Sequence, residues 1–252
     1  RATRLPGEAL AAVFQVRQEI RRLYAELLRV SADEIAITHH TAEGVNFVAQ
    51  GFPWREGDRI LTVSVEYPSN VYPWWNLRDR GVEVVAVQER NGRVDLDEFL
   101  EAIDDRVRMV TISHVEFASG FTFDLERVSA ACRARGVLLF VDIAQSIGVL
   151  PIDLGKVDGA AWPTWKWLMG PIGVGGFYLS SRFLDMIRPI FVVSEGMVPT
   201  ADYLDYRFEF RAGARRFEYS TENTLGLIGT LEALRRIGAL FRDHMGDAVI
   251  RR

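Results

Sequence analysis

Val137-Leu-Leu-Phe-Val-Asp142 decides the fold: five apolar residues in succession, then a carboxylate, ahead of Ile143-Ala-Gln145. A run this short and this continuously apolar reads as a strand buried on both faces, as in a parallel sheet with helices on each side. Upstream, residues 125–135 have helical spacing and end at Gly136. The alternation extends outward in both directions. Further β-rich runs cover 60–65, 82–87, 107–112, 159–162 and 174–179, and helical patterns cover 8–30, 73–80, 96–103 and 224–245. Strands alternating with helices imply βαβ units, an α/β fold and a mainly parallel sheet. No internal repeat or low-complexity linker breaks the pattern, and residues 191–214 are its most irregular part.

Composition narrows the function. The 252 residues are 48% hydrophobic and 25% charged, with a formal net charge of −4. That is a globular chain, long enough for one large domain or two modest ones. A general nucleic-acid binder would be basic, so that class is disfavoured. No apolar run reaches the ~18 residues of a membrane span. No signal-peptide pattern opens the chain, so a reducing cytoplasm is the expected compartment. The single cysteine, Cys132, excludes an intrachain disulfide and reads as a buried hydrophobe on the 125–135 helix. The four histidines (39, 40, 114 and 244) show no metal-ligand spacing, so no metal site is expected.

Of 30 basic residues only two are lysine, Lys156 and Lys166. Lys156 sits in the polar turn Asp153-Leu-Gly-Lys-Val-Asp158 and reads as surface. Lys166 stands among Trp162, Trp165 and Trp167. Apolar surroundings disfavour an ammonium ion, and a lysine made neutral is a competent Schiff-base nucleophile. A snorkelling lysine with its stem on an aromatic surface is the other reading. Asp142 lies 24 residues earlier at the carboxyl end of its strand, where open α/β sheets place their ligands. It caps the next helix or acts as a functional carboxylate. Gly170-Pro-Ile-Gly-Val-Gly-Gly176 precedes a strand rather than a helix, which is the wrong context for dinucleotide binding.

Four blocks in order carry a family resemblance: Thr41-Ala-Glu-Gly-Val-Asn-Phe-Val-Ala49, Glu66-Tyr-Pro-Ser-Asn-Val-Tyr-Pro-Trp74, Asp142-Ile-Ala-Gln145 with Lys166-Trp-Leu-Met-Gly-Pro-Ile-Gly-Val-Gly175, and Arg216-Phe-Glu-Tyr-Ser-Thr-Glu-Asn223. They resemble the class V aminotransferase family, which includes cysteine desulfurases, kynureninase and epimerase-like enzymes of pyridoxal-phosphate fold type I. The resemblance implies a three-layer α/β/α large domain with a mainly parallel, mixed, seven-stranded sheet. It implies an N-terminal helical segment over 1–30 and a cofactor-binding domain over 31–252. A small C-terminal domain, normally the source of a carboxylate-binding arginine, is expected to be missing from this sequence.

The resemblance also assigns roles. Lys166 would carry pyridoxal 5'-phosphate covalently and move the Cα proton. Asp142 would pair with the pyridinium nitrogen, Gln145 would bond the ring 3′ oxygen, and Tyr67 would stack on the ring. Thr41, the Ala42 N–H and, in part, Thr164 would hold the phosphate, although Thr41 alone also fits a simple helix cap. Thr221 would reach the phosphate of a partner subunit, implying a homodimer. His114, Glu116 and Phe117 would face the substrate, with a structural role at the strand end as the alternative for the first two. His39 and His40 read as a solvated or locally hydrogen-bonded pair. Two departures matter. Pro163-Thr-Trp165 replaces the usual Ser-x-His, and Phe117 stands where desulfurases have asparagine, which argues against plain cysteine as substrate. The expected function is a lyase-type enzyme cleaving C–S or C–C bonds in an amino acid or amine. An aminotransferase or epimerase is the alternative, and a catalytically silent homologue is the third reading. Small molecules are the expected partners, without nucleic acid or membrane.

Overall fold

The structure, a computed structural model, describes residues 6–202, 204–219 and 223–244. Its strands are β1 (Ile35–Thr38), β2 (Arg59–Val63), β3 (Glu83–Val87), β4 (Val107–Ser113), β5 (Leu138–Asp142), β6 (Gly159–Pro163) and β7 (Gly175–Leu179). They form one sheet in the order β1-β7-β6-β5-β4-β2-β3. The pairs β2–β3, β2–β4, β4–β5 and β5–β6 are parallel, whereas β7 runs antiparallel to both β6 and β1. The sheet is therefore seven-stranded, mixed and mainly parallel. The helices are α1 (Pro6–Leu28), α2 (Thr41–Gly51), α3 (Tyr72–Trp75), α4 (Leu96–Glu101), α5 (Leu125–Ala134), α6 (Ser181–Leu184) and α7 (Thr224–His244).

Alternation along the strands produces the three layers. Leu139 and Val141 enter a core shared with α1, α4, α5 and α7. Leu138 and Phe140 enter a second core shared with α2, α3 and α6. Successive strand residues point to opposite faces, so a strand apolar at every position must be covered on both. This is the physical content of the continuous apolar run at 137–141.

Three local differences from the sequence reading have simple causes. β1 is only four residues long and carries too little pattern to be seen alone. The 73–80 helix is really α3 followed by a 3-10 turn at Arg78–Arg80, stopped by Gly81 at φ 75°. Residues 1–30 are expected as a separate segment, yet Ile20, Tyr24 and Leu28 of α1 share a core with Leu227, Leu231 and Leu234 of α7. Tyr24 also meets Trp162 of β6 edge-on, ring centres 5.1 Å apart. So α1 is part of a layer.

Candidate active site

The carboxyl ends of β5 and β6 open onto one cavity of about 140 Å³. Asp142, the last residue of β5, is buried, and its Oδ1 accepts the Ala144 N–H at 2.8 Å. Lys166 follows β6 in a turn closed by Met169 N–H to the Lys166 carbonyl, 3.0 Å, and Gly170 N–H to the Thr164 carbonyl, 2.9 Å. The start of α2 adds Thr41 and Ala42 to the lining, preceded by His40, and the loop after β2 adds Tyr67 and Ser69. A larger hollow of about 330 Å³ lies between α1 and α7. Its lining is aliphatic and backbone apart from Glu26 and Arg29, so it lacks the amine, carboxylate and helix end that the smaller cavity combines.

Electrostatics separate the charged groups. Lys166 is half-buried, and desolvation holds its pKa below the usual lysine value despite the attraction of Asp142. Its Nζ lies 5.3 Å from the centre of the Tyr67 ring and 5.6 Å from that of Trp165. Burial pushes Asp142 up to about 6, against the Ala144 N–H and the Lys166 charge. Behind it stands a second acid, Glu66, which takes the Ser113 N–H, the Ser113 hydroxyl at 2.7 Å and the Tyr67 N–H at 3.2 Å. Burial raises Glu66 to about 7 despite the Ser113 hydroxyl, and the Asp142 carboxylate adds to the rise.

Of the residues singled out from sequence, Lys166, Asp142, Tyr67, Thr41 and Ala42 line this cavity together. Others do not. Thr164, expected at the phosphate, is fully buried, and its hydroxyl sits 2.7 Å from the Pro171 carbonyl and 2.9 Å from that of Val174. It fastens the turn that carries Lys166. Gln145 is absent from the lining, and its Oε1 accepts the Trp167 indole N–H at 3.2 Å. Glu116, expected to face substrate or to serve structurally at the strand end, is 1% exposed. Burial, with Glu66 and Asp142 nearby, pushes it up to about 10, so it is a neutral acid behind the site. His114 is likewise buried, which lowers it to about 4 and keeps it uncharged. Phe117 is the exception in that block. Half its surface is exposed, and its ring meets Tyr67 edge-on with centres 5.1 Å apart. Thr221 lies outside the described residues. Among the described residues no group of three or more His, Cys, Asp or Glu side chains could hold a metal ion.

Three residues here were given no role in the site by the sequence reading. His40 and Ser69 line the cavity, and Glu66 braces it. The position of His40, directly before the first residue of a helix, was the available signal, because that is where a side chain caps the turn. The locally hydrogen-bonded reading describes both histidines: His39 Nδ1 lies 3.0 Å from Glu43 Oε1, and His40 Nδ1 accepts the Glu43 N–H at 3.1 Å. Taken together, the cavity offers a half-buried amine, a buried carboxylate, an aromatic plate and a helix N-terminus. This set suits a flat aromatic ring bearing a cationic nitrogen, an electrophilic carbon and an anionic tail.

Comparison with known proteins points the same way. The family model for class-V aminotransferases matches residues 4–246. A probable cysteine desulfurase of Methanothermobacter thermautotrophicus is 34% identical over 227 residues, covering 88% of this chain and 56% of that protein. The solved cystine C–S lyase C-DES, in complex with its reaction product cysteine persulfide, aligns with a TM-score of 0.86 at 28% identity, over 92% of this chain and 63% of that one. The apo cysteine desulfurase of Thermococcus onnurineus NA1 aligns with a TM-score of 0.83 at 27% identity, over 91% of this chain and 58% of that one. The chain thus spans 56% to 63% of the length of these relatives.

Proposed function

The chain belongs to the class-V aminotransferase family, and from that membership we propose that it binds pyridoxal 5'-phosphate at Lys166 and acts as a lyase, cleaving a C–S or C–C bond of an amino acid. The observation that carries the reading is the shared cavity of Lys166 and Asp142 at the ends of β6 and β5, with the α2 N-terminus on the same wall. When bound, the group supplies an electron sink for negative charge at the substrate Cα.

The protein side chains do the rest. Lys166, its pKa lowered by desolvation, is the amine that would form the covalent link and then take or return the Cα proton. Asp142 orients the ring nitrogen and keeps a proton on it. The Tyr67 ring covers one face and excludes water. Thr41 and the Ala42 N–H hold the phosphate at the positive end of α2. Gln145 accepts the Trp167 indole N–H through Oε1, which leaves its amide NH2 to bond the ring 3′ oxygen. Phe117 extends the Tyr67 wall toward the substrate side chain.

The proposal includes a homodimer. Ile172 and Leu225 are 78% and 82% exposed, and α7 starts against the 171–174 segment, where Asn223 Nδ2 lies 3.5 Å from the Ile172 carbonyl. Exposed apolar side chains on these two adjoining segments support pairing with a second copy, and in this reading Thr221 is the residue offered to the partner's phosphate. The described residues contain no helix long and apolar enough to cross a membrane, and we favour a cytoplasmic location. In this reading residues 31–252, with α1 packed on them, are the cofactor-binding large domain.

The test is spectroscopic, then chemical. Incubation with pyridoxal 5'-phosphate should give a visible absorption band that borohydride bleaches and that Lys166→Ala lacks. Cysteine or cystine should then yield sulfide or persulfide and a keto acid with ammonia. A protein that stays colourless loses the cofactor reading. A coloured protein that only aminates a keto acid acceptor is an aminotransferase.

A further inference from the structure

The cavity offers an anion donors from the α2 side and, through Ser69, from the loop after β2. On the β6 side, Pro163 has no N–H, the Thr164 hydroxyl is committed to backbone carbonyls, and Trp165 presents a ring. On the α2 side stand His40, Thr41 and Ala42. His40 is extended, with φ −166° and ψ 166°, and caps the helix through Nδ1, which accepts the Glu43 N–H at 3.1 Å. A ring nitrogen that accepts carries no proton, so the neutral imidazole carries its proton on Nε2. With Nδ1 turned onto the helix, Nε2 is the ring nitrogen left for the cavity that His40 lines. The neighbouring His39 is turned otherwise, its Nδ1 on Glu43, and does not line the cavity.

The geometry points to His40 as a ligand of the cofactor phosphate, donating from Nε2 alongside the N–H groups of Thr41 and Ala42. This rests on the cofactor reading above and goes beyond it, because it assigns the phosphate donor that Pro163-Thr-Trp165 does not supply. One residue does two things through opposite ring nitrogens: Nδ1 closes the helix end and Nε2 grips the anion. Consequently His40 contributes to the preference for the phosphorylated cofactor over its unphosphorylated form.

The experiment compares pyridoxal 5'-phosphate with pyridoxal on the cofactor-stripped protein, followed by quenching of tryptophan fluorescence. His40→Asn keeps a side chain that caps a helix but loses the Nε2 donor. Its Kd for pyridoxal 5'-phosphate should rise about tenfold or more, the size of a hydrogen bond to a charged group, while its Kd for pyridoxal stays unchanged. Equal weakening of both ligands would make His40 a structural cap alone, and no weakening of either would also overturn the assignment. In the wild-type protein the imidazole NMR resonances of His40 should move on adding pyridoxal 5'-phosphate and not on adding pyridoxal. Stillness in both overturns it independently of any variant's folding. A wild-type protein that binds neither ligand fails the cofactor reading itself, a result distinct from all of these.

Discussion

Arg21 on α1 and Glu218, 197 residues later, form a buried ion pair in which Arg21 Nη2 lies 2.6 Å and Nε 3.2 Å from Glu218 Oε1. Arg17 also donates to Glu218, and the Ile37 N–H of β1 reaches it at 2.8 Å. One carboxylate thereby joins α1, β1 and the short 3-10 turn at Ala214–Phe217. Burial alone would raise the Glu218 pKa, but the Arg21 and Arg17 charges and these hydrogen bonds outweigh it and hold the group below the usual carboxylate range. Removing the acid leaves a buried guanidinium unpaired. Glu218→Ala should therefore cost about 3–5 kcal/mol in urea unfolding. A lowered folded pKa means that this stabilisation is present above the unfolded value of about 4.3 and is lost as pH falls through the folded value. A loss under ~1 kcal/mol would show that the pair only offsets its own desolvation.

That glutamate marks where the sequence was legible and where it was not. The Arg216-Phe-Glu block was readable as a family signature, but its partner Arg21 lies in a helix set apart as a separate segment. Nothing local in either stretch links them, because an ion pair across 197 positions leaves no periodicity. The core strand and the Asp142–Lys166 pair were legible for the opposite reason, since each is announced by its immediate neighbours. The turn of the Thr164 hydroxyl and the burial of Glu116 were not legible, because adjacency to a site residue says nothing about which way a side chain turns. Strand alternation sends neighbours to opposite faces, and a turn can spend a hydroxyl on its own carbonyls.

The glycine run after Lys166 is a packing device. A Cβ on Gly176 would come within 2.2 Å of Trp162 Cζ2. Trp162 is fully buried and already held edge-on by Tyr24, so it has no room to yield. Gly176→Ala should destabilise the protein by about 1–3 kcal/mol through overpacking. Gly57→Ala, whose added Cβ meets nothing within 4 Å, tests φ strain alone at φ 88°. If Gly176→Ala were as stable as the parent in thermal unfolding, Trp162 would have to be far more mobile than its contacts indicate.

Three acids, Asp142, Glu66 and Glu116, stand together, with the half-buried Lys166 as the cation acting on Asp142 and with His114 uncharged nearby. A carboxyl whose pKa rises on folding binds its proton more tightly in the native state. Its stabilisation is full below the unfolded value of about 4.3 and is lost as pH climbs to the folded value. For Glu66 that window ends at about 7, and for Glu116 at about 10. The cofactor-free protein should therefore lose stability between about pH 5 and pH 9, by at most ~1.4 kcal/mol per pH unit for each group. Glu116→Gln keeps a neutral polar group and should flatten the upper part of that slope. An unchanged slope in pH-dependent urea unfolding would mean that Glu116 is ionised in the folded protein.

Asp142 offers the sharpest test of the chemistry. One of its oxygens is occupied by the Ala144 N–H, which leaves the other for a cation in the cavity. Burial raises its pKa to about 6, so a cationic ring nitrogen beside it would restore the ionised form and be held in return. Asp142→Asn keeps the shape and the Ala144 contact but removes the charge. Turnover should fall by about 10²–10³-fold, the usual effect of losing one preorganised electrostatic partner, and the cofactor should wash out faster on dialysis. Thermal unfolding of the cofactor-free variant should hardly change or improve slightly, because a buried charge has been relieved of its desolvation. This combination separates an electrostatic partner from a structural cap. If Asp142 served only to close the turn at Ala144, Asp142→Asn would retain both cofactor and turnover, and Asp142→Ala would lose stability first.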